Sequence, residues 1–151
     1  MHITARADYA LRAVCELAGR LPEHVSRGEL AEGQQIPGKF LESILGDLRR
    51  AGLLESQRGA AGGYRLARDP ATIPLADVIR AIDGPLAAVR GLPPEQAAYQ
   101  GAARHLRDVW VAVRASMRTV LETTTVADVR DGTLPDVVAE LTSRPESWSR
   151  R

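Results

Sequence analysis

Cysteine occurs once in this chain, as Cys15, so no internal disulfide framework can form and a reducing compartment suits the protein. Aromatic residues make up only 4% of the chain. Its core must therefore be built from Leu, Val, Ile and Ala, a composition that leans toward helix. No apolar run approaches the ~20 residues of a membrane span. The opening Met1-His2-Ile3-Thr4-Ala5-Arg6 is polar and mixed, so no secretory signal is expected, and the protein is expected in the cytoplasm away from any membrane. Net charge is +1, so a search for a strongly basic chain would pass it over. The charge is local instead. Between Arg49 and Arg68 lie five arginines (Arg49, Arg50, Arg58, Arg65, Arg68) against one acid, Glu55. Such a patch suits either a phosphate backbone or an ordinary solvated surface.

Enzymatic groupings are poor. His2, His24 and His105 are far apart and none has metal-ligand spacing. Cys15 has no histidine or acid set around it, and it reads first as a small residue flanking a helical stripe. Asp77 and Asp83 read as a solvated helix face rather than a catalytic pair. No glycine-rich phosphate loop follows a strand and opens a helix, and no internal repeat is present. The chain is expected to be neither an enzyme nor a metal or cofactor carrier.

What is present is a run of helical signals. Apolar positions 3, 7, 10, 11, 14, 17, 18 and 21 trace one face of a helix from about Thr4 to Gly19, with Thr4 as its N-cap. Ser26 and Glu29 form a capping box that opens a short helix through about Gly33. Pro37 suits the first turn of the next helix, which carries Phe40, Leu41, Ile44, Leu45 and Leu48 and stops at Ala51-Gly52. These three segments make the skeleton of a helix-turn-helix. Two short strands, Leu53 to Gln57 and Tyr64 to Ala67, flank Arg58-Gly59-Ala60-Ala61-Gly62-Gly63, whose glycines permit a tight reversal, and the hairpin reads as a wing. A further short helix spans Leu75 to Asp83.

The fold expected is mainly α with a small β-hairpin wing: a winged helix-turn-helix domain over 1–84, a linker over 85–95 and a helical region over 96–140. A tail over 141–151 is expected to be loose. Ala103, Leu106, Trp110, Val113, Met117 and Val120 repeat as a heptad seam, which asks for a partner helix. The small domain's own core or a second subunit can supply it, and the helix beyond a proline linker favours the second. Thr125 to Asp131 reads as a last short helix.

The N-terminal end of a recognition helix meets base edges in the major groove. Here that end offers Lys39, Glu42 and Ser43, with Gly38 allowing close approach. Lys donates to guanine O6 and N7, and Glu accepts from cytosine N4. Phosphates repel Glu, so an acid at this end points to base reading. Arg58, beside Gly59 at the wing, suits an A·T-rich minor groove, while Arg49 and Arg65 of the basic patch suit phosphate.

The chain resembles the IscR/NsrR/CymR (Rrf) family of bacterial winged-helix regulators. The resemblance is carried by Thr4-Ala5-Arg6-Ala7-Asp8-Tyr9-Ala10-Leu11-Arg12, by Phe40-Leu41-Glu42-Ser43-Ile44-Leu45, and by Leu48-Arg49-Arg50-Ala51-Gly52-Leu53. It continues through the wing from Arg58 to Ala67 and the stretch from Leu75 to Gly84. It implies a homodimer built on a long crossed helix, a palindromic double-stranded DNA operator, and phosphate contacts near His2, Thr4 and Tyr9. Sensing members hold an iron–sulfur cluster on three cysteines after the position of Gly84-Pro85. The segment from Leu86 to Trp110 has none, and Asp8 and His105 are no substitute for thiolates. The resemblance is thus to the cluster-free branch, with a small metabolite, a protein partner or redox chemistry at Cys15 as the candidate inputs. Repression is the expected mode, because a dimer that blocks an operator needs no surface for polymerase. A rival reading is a winged-helix adaptor that binds proteins without reading DNA; an apolar face in place of Lys39, Glu42 and Arg58 would favour it.

Overall fold

A computed structural model describes residues 3–149. Helix α1 (Ala5–Gly19) is capped by Thr4, whose hydroxyl oxygen accepts from the Ala7 amide at 3.1 Å. It buries Ala7, Ala10, Val14, Leu17 and Ala18 of the stripe read from the sequence, and Ala13 beside them, while Leu11 is half-buried and Ile3 and Leu21, beyond the helix ends, are exposed. Helix α2 (Arg27–Gln34) opens with the reciprocal Ser26/Glu29 capping box and buries only Leu30. Helix α3 (Gly38–Arg50) follows Pro37 and buries Leu41, Ile44, Leu45 and Leu48. Gly52, at φ +72°, turns the chain out of α3. Its amide donates to the Arg49 carbonyl and that of Leu53 to the Leu48 carbonyl, so two of the last helical oxygens are satisfied.

Strands β1 (Leu54–Gln57) and β2 (Gly63–Leu66) pair antiparallel, with Leu54 opposite Leu66 and Gln57 opposite Gly63. Val25 adds a bridge to Tyr64 through two backbone hydrogen bonds of 2.9 and 2.8 Å, tying the wing to the start of α2. The bridge explains Gly63. A Cβ there would lie 2.4 Å from the Val25 carbonyl oxygen, and its φ of +147° already disfavours other residues. Helix α4 (Leu75–Asp83) buries Ala76, Val78 and Ile79. These parts make the winged helix-turn-helix that the sequence predicts.

Beyond α4 the structure departs from expectation. Within the segment read as a linker over 85–95, Leu86 and Pro94 are buried and Glu95 pairs with Arg114 at 2.6 Å, and Ala97 just beyond it is buried too. Ala103 lies in a 3-10 turn (Gly101–Ala103), so the seam in helix α5 (Leu106–Leu121) begins at Leu106. No side chain of α5 is buried. Met117 and Leu121 nevertheless lean on the small cluster of Ala7, Ala76, Ile79 and Leu86. The chain then returns to the winged domain: Leu75 donates to the Thr124 carbonyl at 2.9 Å, and Val126 is fully buried in the main core. Val126, from the region read as 96–140, thus shares a core with α1 and α3 of the winged domain. Helix α6 (Val126–Asp131) carries a Thr125/Asp128 capping box that the sequence reading did not name. Helix α7 (Asp136–Thr142) was not foreseen. The described part of the tail is exposed throughout but carries local structure. Pro145–Trp148 form a 3-10 turn, and the Trp148 indole donates to the Thr142 carbonyl at 2.7 Å, satisfying an end group of α7.

Candidate nucleic-acid interface

Helix α3 is sharply two-sided. Leu41, Ile44, Leu45 and Leu48 face the core, while Lys39, Glu42 and Ser43 are exposed on the other side. The helix is held by its neighbours. Phe40 meets Tyr9 of α1 with ring centroids 5.9 Å apart, and Arg12 covers the Tyr9 ring at 4.8 Å. Arg12 also donates to the Gln34 carbonyl at 2.8 Å, fixing α1 to the end of α2. The Lys39 ammonium lies 5.0 Å above the Phe40 ring.

Two arginines that the sequence reading left out stand beside the exposed face. Arg6 of α1 pairs with Asp47 at 2.6 Å and reaches the Ser43 hydroxyl at 3.5 Å. Arg27, the first residue of α2, pairs with Glu42 at 3.0 Å. Both contacts join residues distant in sequence, so no local pattern announces them; the bare signal was an arginine at each helix start.

Arg58 and Gly59 are exposed at the wing turn, and Arg58 has no ion-pair partner among the described residues. Gly59, at φ +104°, accepts from the Gly62 amide at 3.0 Å to close the turn. The rest of the basic patch is partly engaged. Arg49 donates to Ser56 at 3.1 Å, Arg65 pairs with Glu55, Arg50 with Asp47, and Arg68 lies 3.6 Å from Asp77. Thr4 donates to Asp83 at 2.6 Å while capping α1, and Tyr9 is half-buried between Phe40 and Arg12. Asp77 and Asp83 are thus structural partners of arginines and a hydroxyl. His2 lies outside the described residues.

The seam residues Trp110, Val113, Met117 and Val120 are half-buried, and Leu106 is exposed. Met117 and Val120, with Ile3, Ile79 and Leu86, line an apolar groove of about 380 Å³ between α1, α4 and α5.

Cys15 is half-buried on α1, and burial pushes its thiol pKa up, away from the thiolate that redox chemistry requires. This single thiol and the absence of any other cysteine do not fit an iron–sulfur cluster. Among the described residues no group of three or more His, Cys, Asp or Glu is placed to hold a metal ion. No helix among them is long and apolar enough to cross a membrane.

The family profile Rrf2, described as an iron-dependent transcriptional regulator, matches residues 3–132. The chain is 49% identical over 142 residues to Rv1287 of Mycobacterium tuberculosis, named as an HTH-type transcriptional regulator, covering 93% of this chain and 88% of that one. In structure it is similar to CymR, the global cysteine regulator of B. subtilis, with a TM-score of 0.73, 30% identity, and 87% of this chain and 97% of that one covered. It is similar also to IscR of T. potens, with a TM-score of 0.72 and 30% identity over 88% of each chain. These relatives are regulators, not enzymes. The matches extend over most of the chain, the wing and α3 included. The chain belongs to the Rrf2 family of DNA-binding transcriptional regulators.

Proposed function

We propose that the protein is a homodimeric, cytoplasmic repressor that binds a palindromic DNA operator and reads its bases with α3. The observation that carries this reading is the exposed polar row Lys39, Glu42 and Ser43, opposite four buried aliphatic residues on the same helix. An adaptor surface would be apolar at these positions. Arg58 at the exposed wing turn supplies a cation for the adjacent minor groove. Arg49 and Arg65 supply positive charge for phosphate, and Thr4 and Tyr9 of the α1 start are the further phosphate contacts that the family resemblance implies.

Homodimerisation is supported by α5, which carries the seam Leu106, Trp110, Val113, Met117 and Val120 and buries none of it fully within one chain. A two-fold dimer places two α3 helices in successive major grooves on one face of the duplex. A single thiol does not suit a cluster as the input, and burial raises the Cys15 pKa. A small molecule or a protein partner is then the effector.

Selection of bound sequences from a random duplex pool tests this. The expected outcome is an inverted repeat whose half-site centres lie about 34 Å apart or a multiple of that. A pool that fails to converge would refute base reading.

A further inference from the structure

Arg27 and Glu42 come from the two halves of the helix-turn-helix, 15 residues apart in sequence, and meet at 3.0 Å. Their side chains are 54% and 77% exposed. An ion pair so open to water adds little to folding, so stability does not account for it. No other ion-pair partner for either is found among the described residues. The acid nearest along α2 does not compete for Arg27: Glu29 is engaged by the Ser26 amide and by Arg20. Those hydrogen bonds, first of all with Ser26, hold its pKa below the usual carboxylate range.

Glu42 poses an electrostatic difficulty for a DNA-facing helix. A duplex carries one negative charge per ~1.7 Å of axis, and a bare carboxylate brought to it is repelled. A guanidinium answers this better than an ammonium, because it presents five N–H donors in a rigid fork. Arg27 uses one nitrogen, Nη1, on the Glu42 carboxylate. Its remaining donors are available on an exposed side chain at the start of α2, the helix that crosses the DNA backbone in helix-turn-helix docking.

We propose that Arg27 is a positioning residue for base recognition, bridging the Glu42 carboxylate to a DNA phosphate. The bridge neutralises the acid and holds it at one angle to the base edge. Specificity then depends on a residue that touches no base. This rests on α3 reading bases, as proposed above.

The test uses the full chain and an operator obtained from a random pool. Affinities are measured for wild type, Arg27→Ala, Arg27→Lys, Glu42→Ala and the Arg27→Ala/Glu42→Ala double variant. The duplexes are the operator, its single-base variants and random DNA. Arg27→Ala is expected to lower the preference for operator over random DNA by roughly tenfold, at the same base positions as Glu42→Ala. The double variant should discriminate no worse than Glu42→Ala alone. Arg27→Lys should keep binding to random DNA with wild-type salt dependence but lose discrimination, since an ammonium lacks the fork. Parallel weakening on operator and random DNA by Arg27→Ala, unchanged in the Glu42→Ala background, would overturn the proposal and leave Arg27 a simple phosphate contact. Equal wild-type affinity for operator and random DNA would instead refute base reading itself, and the bridge with it.

Discussion

Val113 offers a sharp test of how α5 is used. Within one chain it is half-buried, and α5 buries no side chain completely. If the seam closes on a second copy, the remaining exposed half of Val113 is covered in each protomer. Val113→Ala removes two methyl groups, about 1.6 kcal/mol when fully buried. Roughly half of that belongs to the interface, so the dimer loses about 1.6 kcal/mol over its two copies, or roughly 15-fold in dissociation constant. Val113→Asp is harsher, because a charge enters an apolar seam without a partner, at a cost of several kcal/mol per copy. Sedimentation across a concentration series is the assay, with circular dichroism as a check on folding. The expected result is a monomer at micromolar concentration for Val113→Asp that keeps its helical signal, and a measurably weaker dimer for Val113→Ala. A Val113→Asp protein that stays dimeric at micromolar concentration would refute the reasoning and assign the seam to the chain's own core.

Gly63→Ala forces a Cβ to within 2.4 Å of the Val25 carbonyl oxygen at a φ of +147°. It should cost about 1–3 kcal/mol in urea unfolding, and a change below about 0.5 kcal/mol would show that the wing bridge is dispensable. Arg58→Ala should weaken binding to all duplexes, lower the salt slope by roughly one per subunit and reduce preference for A·T pairs beside the major-groove site; an unchanged salt slope would remove Arg58 from the interface. Cys15, whose thiol pKa is pushed up by burial, should be alkylated by iodoacetamide more slowly than free cysteine at pH 8, with the rate climbing further as pH rises. Faster alkylation than free cysteine would restore it as a redox candidate.

The parts of this molecule that were readable in sequence are those whose signals are local. The Ser26/Glu29 box, the apolar spacing of Leu41, Ile44, Leu45 and Leu48, and the glycines around the wing each act within a few residues, and each forms as expected. The region after Gly84 was read less well for a physical reason. Leu86, Pro94 and Ala97 are buried at intervals that match neither helix nor strand, so a packed segment looks like a proline linker. The return of Val126 to the main core depends on one backbone bond to Ile73 and on contacts with α1, far away in sequence. At the candidate interface, Lys39, Glu42, Ser43 and Arg58 were legible from their place in the helix and the turn, and all four are exposed. Arg6 and Arg27 were not, because their meaning lies in Asp47 and Glu42, residues brought to them only by folding. Other ion pairs formed by folding temper the basic patch: counted along the chain it is strongly positive, yet Arg50, Arg65 and Arg68 each have an acid beside them.

If α3 reads bases, Glu42 is its most diagnostic residue. The most direct measurement is a fluorescence-anisotropy titration of wild type and Glu42→Ala on a selected operator, its single-base variants and random DNA, at two salt concentrations. Wild type is predicted to prefer the operator strongly. Glu42→Ala is predicted to lose about 1–3 kcal/mol of discrimination at one symmetric position in each half-site, while binding random DNA as well as wild type or slightly better, because a negative charge near phosphate is gone. Equal wild-type affinity for operator and random DNA would contradict the account outright, and an unchanged base preference in Glu42→Ala would remove Glu42 from the reading face.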